Sequence, residues 1–282
     1  MSVLEMNYMS RALIRKVSVS VILPFDVYDQ EAEYVFRPPF PTLYLLNGYT
    51  GNHLDFVTET RISRFAKEHG LAVVMPDGDN SFYLNHGDGE NFAHFISEDL
   101  IQATRKIFPL SEKREETFIG GVSMGAYGAL INGLRHPELF GAILSLSTPY
   151  LNDPVFPEAD LPSYWLRKNA DDHLVKPELY LACGSKDPLF NSNVSFRKAA
   201  ESLGYSVIWH QKPLGHQWRF WDEELEDAVN WLLPKSEKAI DQEFEPWPWM
   251  NKGMDNPWQM ISEEEDNPSL NTEPPFDELK TV

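Results

Sequence analysis

Apolar positions along this chain come in short runs whose period keeps changing. Val17-Ser18-Val19-Ser20-Val21-Ile22-Leu23 alternates apolar with small polar residues and then meets Pro24, as a strand that ends there would. Residues 42–46 form a compact apolar run, and so do 71–75; both fit buried strands. Further strands are expected at 117–120, 142–146, 178–182 and 206–210. Helical spacing falls between them, at about 54–68 (stopped by Gly70), 95–107, 124–135, 194–203 and 218–233. Residues 77–92 are rich in Asp, Asn, Gly and aromatics and read as a long loop. Residues 148–175 are proline-punctuated and read as irregular. No internal repeat is visible. Strands separated by helices predict an α/β fold, with a mostly parallel central sheet and helices on both faces.

Composition narrows this picture. The 282 residues are 42% apolar and 13% aromatic, enough for one large core and an appendage. With 43 acidic against 24 basic residues the net charge is -19, which argues against a nucleic-acid partner held by a broad basic face. The charge is uneven. Residues 236–282 hold 12 acidic residues, three lysines and six prolines, a net of -9 that leaves -10 for residues 1–235. The chain is therefore expected to be one folded domain, 1–235, followed by an extended or disordered acidic tail, 236–282. Trp247, Trp249 and Trp258 sit oddly in such a tail. No run approaches the roughly 18 apolar residues of a membrane span, and the N-terminus lacks a signal-peptide core. One cysteine, Cys183, allows neither an intrachain disulfide nor a multi-cysteine zinc site, and its place at a strand end suggests packing. A cytoplasmic protein with no membrane partner is expected, and a homo-oligomer is left open.

The segment that carries chemistry is Gly120-Gly121-Val122-Ser123-Met124-Gly125. G-x-S-x-G between an apolar run and a helical one is the setting of a nucleophile elbow, in which a tight turn lifts the serine oxygen to the carboxyl edge of the sheet. The alternative is an ordinary N-cap serine at a glycine-rich helix start. A serine hydroxyl needs a base, and the base a carboxylate, usually in the chain order Ser, Asp or Glu, His. Among downstream histidines, His136 ends the nucleophile helix, His173 falls in the irregular stretch and His210 ends a strand. His216, in Pro213-Leu214-Gly215-His216, follows a strand and precedes a helix, where a base would project. Asp187, in Cys183-Gly184-Ser185-Lys186-Asp187, leaves a strand at the same edge, whereas Asp171 and Asp172 precede that strand. Ser123, Asp187 and His216 are thus the expected catalytic residues. Backbone amides of Tyr49, after the run Leu45-Leu46-Asn47-Gly48, and of Met124 are the expected oxyanion-hole donors. Phe82, Tyr83, Tyr150 and Trp165 are candidate substrate contacts. His86, Asp88 and His94 have loose spacing, and no metal or cofactor is expected.

These motifs, with Val21-Ile22-Leu23-Pro24, Met75-Pro76-Asp77-Gly78, Asn80-Ser81-Phe82-Tyr83 and Gly215-His216-Gln217-Trp218, resemble the esterase D-like branch of the α/β-hydrolases. They are most similar to short-chain acylester hydrolases of the tributyrin-esterase type, related to S-formylglutathione hydrolases, feruloyl and acetylxylan esterases and bacterial mycolyltransferases. The resemblance spans roughly residues 1–233. It implies an α/β-hydrolase fold and a serine carboxylesterase acting on a small-molecule acyl ester or thioester. Ser123 would be the nucleophile, His216 the base, Asp187 its orienter, and Tyr49 and Met124 the amide donors. A thioesterase of the S-formylglutathione type, or a non-catalytic scaffold, are the alternatives. Relatives often carry His-Gly where this chain has Asn47-Gly48, which puts the hydrogen bonding of that loop in question. The acidic tail has no counterpart in the resemblance.

Overall fold

The computed structural model describes residues 2–24, 36–87, 89–149, 157–172 and 174–233. All of them belong to one unit, Met1–Ile240. The expected tail, 236–282, lies outside the described residues, as do Tyr150, Asp88 and His173.

The strands are β1 (Ser2–Ser10), β2 (Arg15–Leu23), β3 (Thr42–Leu46), β4 (Ala72–Pro76), a two-residue hairpin of β5 (Asn85–His86) and β6 (Glu90–Asn91), then β7 (Thr117–Val122), β8 (Ala142–Leu146), β9 (Glu178–Ala182) and β10 (Val207–His210). The helices are α1 (Asp55–Glu59), α2 (Ile62–His69), α3 (Phe92–His94), α4 (Leu100–Ile107), α5 (Met124–Arg135), α6 (Pro162–Asp171), α7 (Phe190–Ser202) and α8 (Trp218–Leu232). Eight strands form one sheet in the order β1-β2-β4-β3-β7-β8-β9-β10. From β4 to β10 every pairing is parallel, while β2 runs antiparallel to both β1 and β4.

Strand alternation divides the core between the two faces of this sheet. Tyr44, Leu46, Ala72 and Val74 face a layer with Phe92 and Phe95, Leu130 and Leu134 of α5, Leu166 of α6 and Phe196 of α7. Leu43, Leu45, Val73 and Met75 face the opposite layer, built from Phe56 of α1, Phe65 of α2 and Phe220 and Leu225 of α8. Helices thus cover both faces, and β3, β4, β7 and β8 are buried throughout.

Four local expectations change. The helix expected over 54–68 is two helices, because Thr60 is extended and Arg61 starts a new turn. The break is held from far along the chain, since Asp222 of α8 accepts from the Arg61 backbone N–H at 2.8 Å and from its guanidinium at 2.9 Å. The helix expected at 95–107 begins at Phe92 and passes through a π-helical turn, Phe95–Asp99, before α4. Strand β1 was not expected: Val3 and Met9 are apolar yet exposed, which blurs its alternation. Helix α6 arises inside the stretch read as irregular, with Pro162 in its first turn, where the missing N–H costs nothing.

Candidate active site

Loops leaving the carboxyl ends of the parallel strands meet at one place, as open α/β sheets favour. Ser123 is the single residue between β7 and α5, held at φ 52°, ψ -118°. A non-glycine residue there is strained, and close packing around it keeps it in place. Its N–H donates to Leu146 O at 2.9 Å, and its carbonyl accepts from Tyr127 N–H at 3.1 Å. A Cβ on Gly121 would stand 2.4 Å from the Gly125 carbonyl carbon, and one on Gly125 only 2.0 Å from Leu46 O. The two glycines of the motif therefore let the turn and the start of α5 lie directly on the end of β3.

His216 Nε2 lies 3.0 Å from Ser123 Oγ, and His216 Nδ1 lies 2.8 Å from Asp187 Oδ2. The Asp187 side chain is fully buried. Its loop and that of His216 are joined by backbone bonds, Ser185 N–H to Lys212 O at 2.8 Å and Lys186 N–H to Leu214 O at 3.0 Å. A Cβ on Gly184 would meet Leu214 O at 2.2 Å, so only glycine allows the loops this close.

Burial by itself would raise the Asp187 carboxyl, but hydrogen bonds from His216, Leu189 N–H (2.9 Å to Oδ1) and the Ser147 hydroxyl outweigh it and hold the group below its usual 3.8. The anion is thus kept where it can orient an imidazole and stabilise its protonated form. Ser147, at the end of β8 with φ 57°, also accepts from Trp221 Nε1 at 3.2 Å. Trp221 in turn packs perpendicular to the His216 ring, with centroids 4.9 Å apart at 88°. One indole therefore steadies both the imidazole and the carboxylate's donor. Neither Ser147 nor Trp221 carries a motif; the only available signal was that Ser147 follows a strand on the catalytic edge.

The cavity beside this chain of bonds measures about 420 Å³ and is lined by Gly48, Tyr49, Thr50, Gly51, Asp55, Glu59, Val122, Ser123, His216, Trp218 and Trp221. The Gly48 backbone lies against the nucleophile, since a Cβ there would be 3.8 Å from Ser123 Cβ. Met124 opens α5, so its N–H belongs to the helix's unbonded first turn. The loop question raised by Asn47 has a physical answer. Asn47 is buried, its Oδ1 accepts from Gly78 N–H (3.0 Å) and Tyr83 O–H (2.9 Å), and its Nδ2 donates to Gly48 O (3.0 Å). Asn80 Oδ1 accepts from Thr50 N–H at 2.7 Å. An amide side chain thus braces the loop from inside.

This corrects the expectation for Tyr83. The residue is 0% exposed, and its hydroxyl serves Asn47, so it cannot touch a substrate. Trp165 packs with Leu84, Tyr127 and Ile131, and its Nε1 donates to Ala159 O at 2.7 Å. Phe82 stacks edge-on against Tyr127 and reaches the Tyr49 ring at 6.1 Å. The other described histidines named from the sequence lie elsewhere. His210 Nδ1 is 2.7 Å from the Tyr180 hydroxyl, His136 pairs with Glu138, His86 bonds Ser81 O, and His94 is near Glu98.

Comparisons with known proteins bear on the family and the fold. An acetyl esterase of Caldicellulosiruptor saccharolyticus is 31% identical over 267 residues, covering 84% of this chain and 100% of that protein. Among solved structures, the fluorophosphonate-binding serine hydrolase FphF of Staphylococcus aureus, determined with substrate bound, superposes with a TM-score of 0.73 at 28% identity, covering 82% of this chain and 98% of its own. An S-formylglutathione hydrolase of the same organism gives the same values. The Esterase family model matches residues 10–232. The chain belongs to the Esterase family, and is an ester-hydrolysing enzyme with the α/β-hydrolase fold.

Proposed function

We propose that the protein is a serine carboxylesterase for short-chain acyl esters, with Ser123 as nucleophile, His216 as general base and Asp187 as its orienter. The observation that carries this reading is the continuous Ser123 Oγ–His216–Asp187 chain, at 3.0 and 2.8 Å, opening on one cavity. With Nδ1–H donated to Asp187, Nε2 is free to accept the Ser123 proton. Ser123 Oγ then attacks the ester carbonyl carbon, and the oxyanion takes N–H bonds from Met124 and Tyr49. Collapse breaks the bond to the alcohol oxygen, which receives the proton from Nε2. Water attacks the acyl-enzyme next, giving a proton to His216, and the acid leaves as Ser123 recovers its own. Each step moves protons between these groups and calls on no cofactor or metal.

The cavity of about 420 Å³ beside Ser123 is at the small end of the range of ligand pockets, which supports a small acyl ester. Hydrolysis rates for 4-nitrophenyl acetate, butyrate and octanoate should fall with acyl length, and Ser123→Ala should lower turnover by about 10⁴-fold or more. Equal rates in wild type and variant would refute the assignment of Ser123. A thioester substrate is the second reading, favoured by the 28% identity to an S-formylglutathione hydrolase; turnover of S-formylglutathione beside 4-nitrophenyl acetate separates the two. Among the described residues no helix is long and apolar enough to cross a membrane.

A further inference from the structure

The wall of the cavity has a sign. Its lining includes two carboxylates, Asp55 and Glu59, three aromatic side chains, Tyr49, Trp218 and Trp221, and no Lys or Arg. Both carboxylates come from α1, spaced i and i+4, so they share one helix face and repel each other. Asp55 lies over the loop beside the nucleophile, where a Cβ on Gly51 would be 1.9 Å from its Oδ2. Burial, with added repulsion from Glu59 and Asp77, pushes the Asp55 carboxyl above its ordinary value, although an Asn52 N–H and His53 oppose the rise. The nearest guanidinium along the chain, Arg61, is committed to Asp222 at 2.9 Å and Glu226 at 3.2 Å. The cavity therefore carries negative charge that no cation of its lining offsets.

The position of that charge relative to the reacting bond decides what it selects. His216 must face the departing alcohol oxygen to protonate it, so the alcohol leaves on the His216 side. That side is walled by Trp221, 4.9 Å from the imidazole, and by Trp218, 5.0 Å from Trp221. Helix α1 abuts the same wall, with Phe56 perpendicular to Trp218 at 5.6 Å, and Asp55 directly precedes Phe56 while Glu59 ends the same helix. Indole faces attract cations, and carboxylates at the rim of a narrow cleft raise the local concentration of cationic solutes. We propose that this cleft selects esters whose alcohol part carries a positive charge, such as an ammonium or quaternary ammonium group, and disfavours alcohol or thiol parts rich in carboxylate. This inference rests on the esterase reading and sharpens it, because a glutathione thioester, with two carboxylates and one ammonium, is a poor match to the wall.

The test compares shape-matched acetates with the full-length protein, with turnover followed by proton release. Acetylcholine and 3,3-dimethylbutyl acetate differ in charge but hardly in shape, and the acetate ester of 4-hydroxybutanoate supplies an anion. The expected kcat/KM ratio is about 10 for cationic over neutral and about 10 again for neutral over anionic at low salt, within the 10–10³ range of charge-lined clefts. Both ratios should shrink toward one in 0.5 M salt and in Glu59→Gln. That side chain is exposed, so its neutralisation should leave the fold intact; Asp55→Asn supplies a second arm. Each ratio is taken within one variant, so a general loss of activity cancels. A cationic-to-neutral ratio of one or less in the wild type, with the neutral ester turned over, would overturn the charge selection alone. Failure to hydrolyse any ester, 4-nitrophenyl acetate included, would overturn the esterase reading and this inference together.

Discussion

Asp187→Asn should reduce turnover by about four orders of magnitude while leaving the fold in place. The substitution keeps shape and volume, so the reasoning concerns which way the new amide points. Leu189 N–H donates to Asp187 Oδ1 at 2.9 Å and can only be satisfied by the amide's carbonyl oxygen. That choice puts the NH₂ group where Oδ2 now stands, 2.8 Å from His216 Nδ1. An NH₂ donor there requires Nδ1 to accept, which moves the imidazole proton to Nε2. Nε2–H then faces Ser123 Oγ at 3.0 Å as a donor and cannot take its proton. A wrong tautomer of this kind costs about 10⁴ in kcat in serine hydrolases, or about 5 kcal/mol of barrier. The assay is kcat for 4-nitrophenyl acetate in the two proteins, with thermal unfolding and circular dichroism to show that both are folded. A folded Asp187→Asn protein within 10-fold of wild type would refute the role given to the carboxylate.

Ser147→Ala removes one donor to that carboxylate and the acceptor of Trp221 Nε1, a loss of about 2 kcal/mol for a bond to a charged group, so kcat/KM should fall roughly 30-fold. Because folding holds Asp187 below 3.8, its contribution to stability is present above that value and lost as pH falls through the folded-state pKa; with Ser147 gone the depression lessens, and melting temperatures from pH 2 to 7 should show acid unfolding starting at higher pH. Gly125→Ala places a Cβ 2.0 Å from the Leu46 carbonyl oxygen and should destabilise by about 3 kcal/mol, a drop of roughly 6–12 °C by calorimetry; an unchanged melting temperature would contradict the packing described. Cys183 is fully buried, and burial, with repulsion from Asp187, pushes its thiol up to about 12. Native protein at pH 8 should therefore resist a disulfide reagent, and one thiol should react only after unfolding.

The readable parts of the sequence were those whose physics is local. Runs such as Thr42–Leu46 and Ala142–Leu146 are buried on both sides, so their apolar character alone marks them as central strands. The elbow was legible because a strand, a serine between two glycines and a helix are contiguous, and the strand-end loops of Asp187 and His216 followed from alternation of elements. Where partners are remote, the signal failed. The break between α1 and α2 depends on Asp222, 161 residues from Arg61, and no local pattern announces it. The exposed apolar residues of β1 hid its alternation, and Pro162 made a helix start look like a loop.

The sequence by itself determined the central alternation of strands and helices, the candidate nucleophile Ser123 and the short list from which its partners were drawn. Only the tertiary structure decided the rest. It turned Tyr83 from a substrate contact into a brace for Asn47, because a side chain's partners depend on which loops the sheet brings together. It added Ser147 and Trp221 behind the carboxylate and the imidazole, residues with no motif to mark them. It also set Asp55 and Glu59 of α1 beside Ser123, more than 60 residues away in the chain, and gave the cavity its charge. Periodicity reports which face of an element is buried. It does not report what meets that face, and the chemistry of this cleft is decided there.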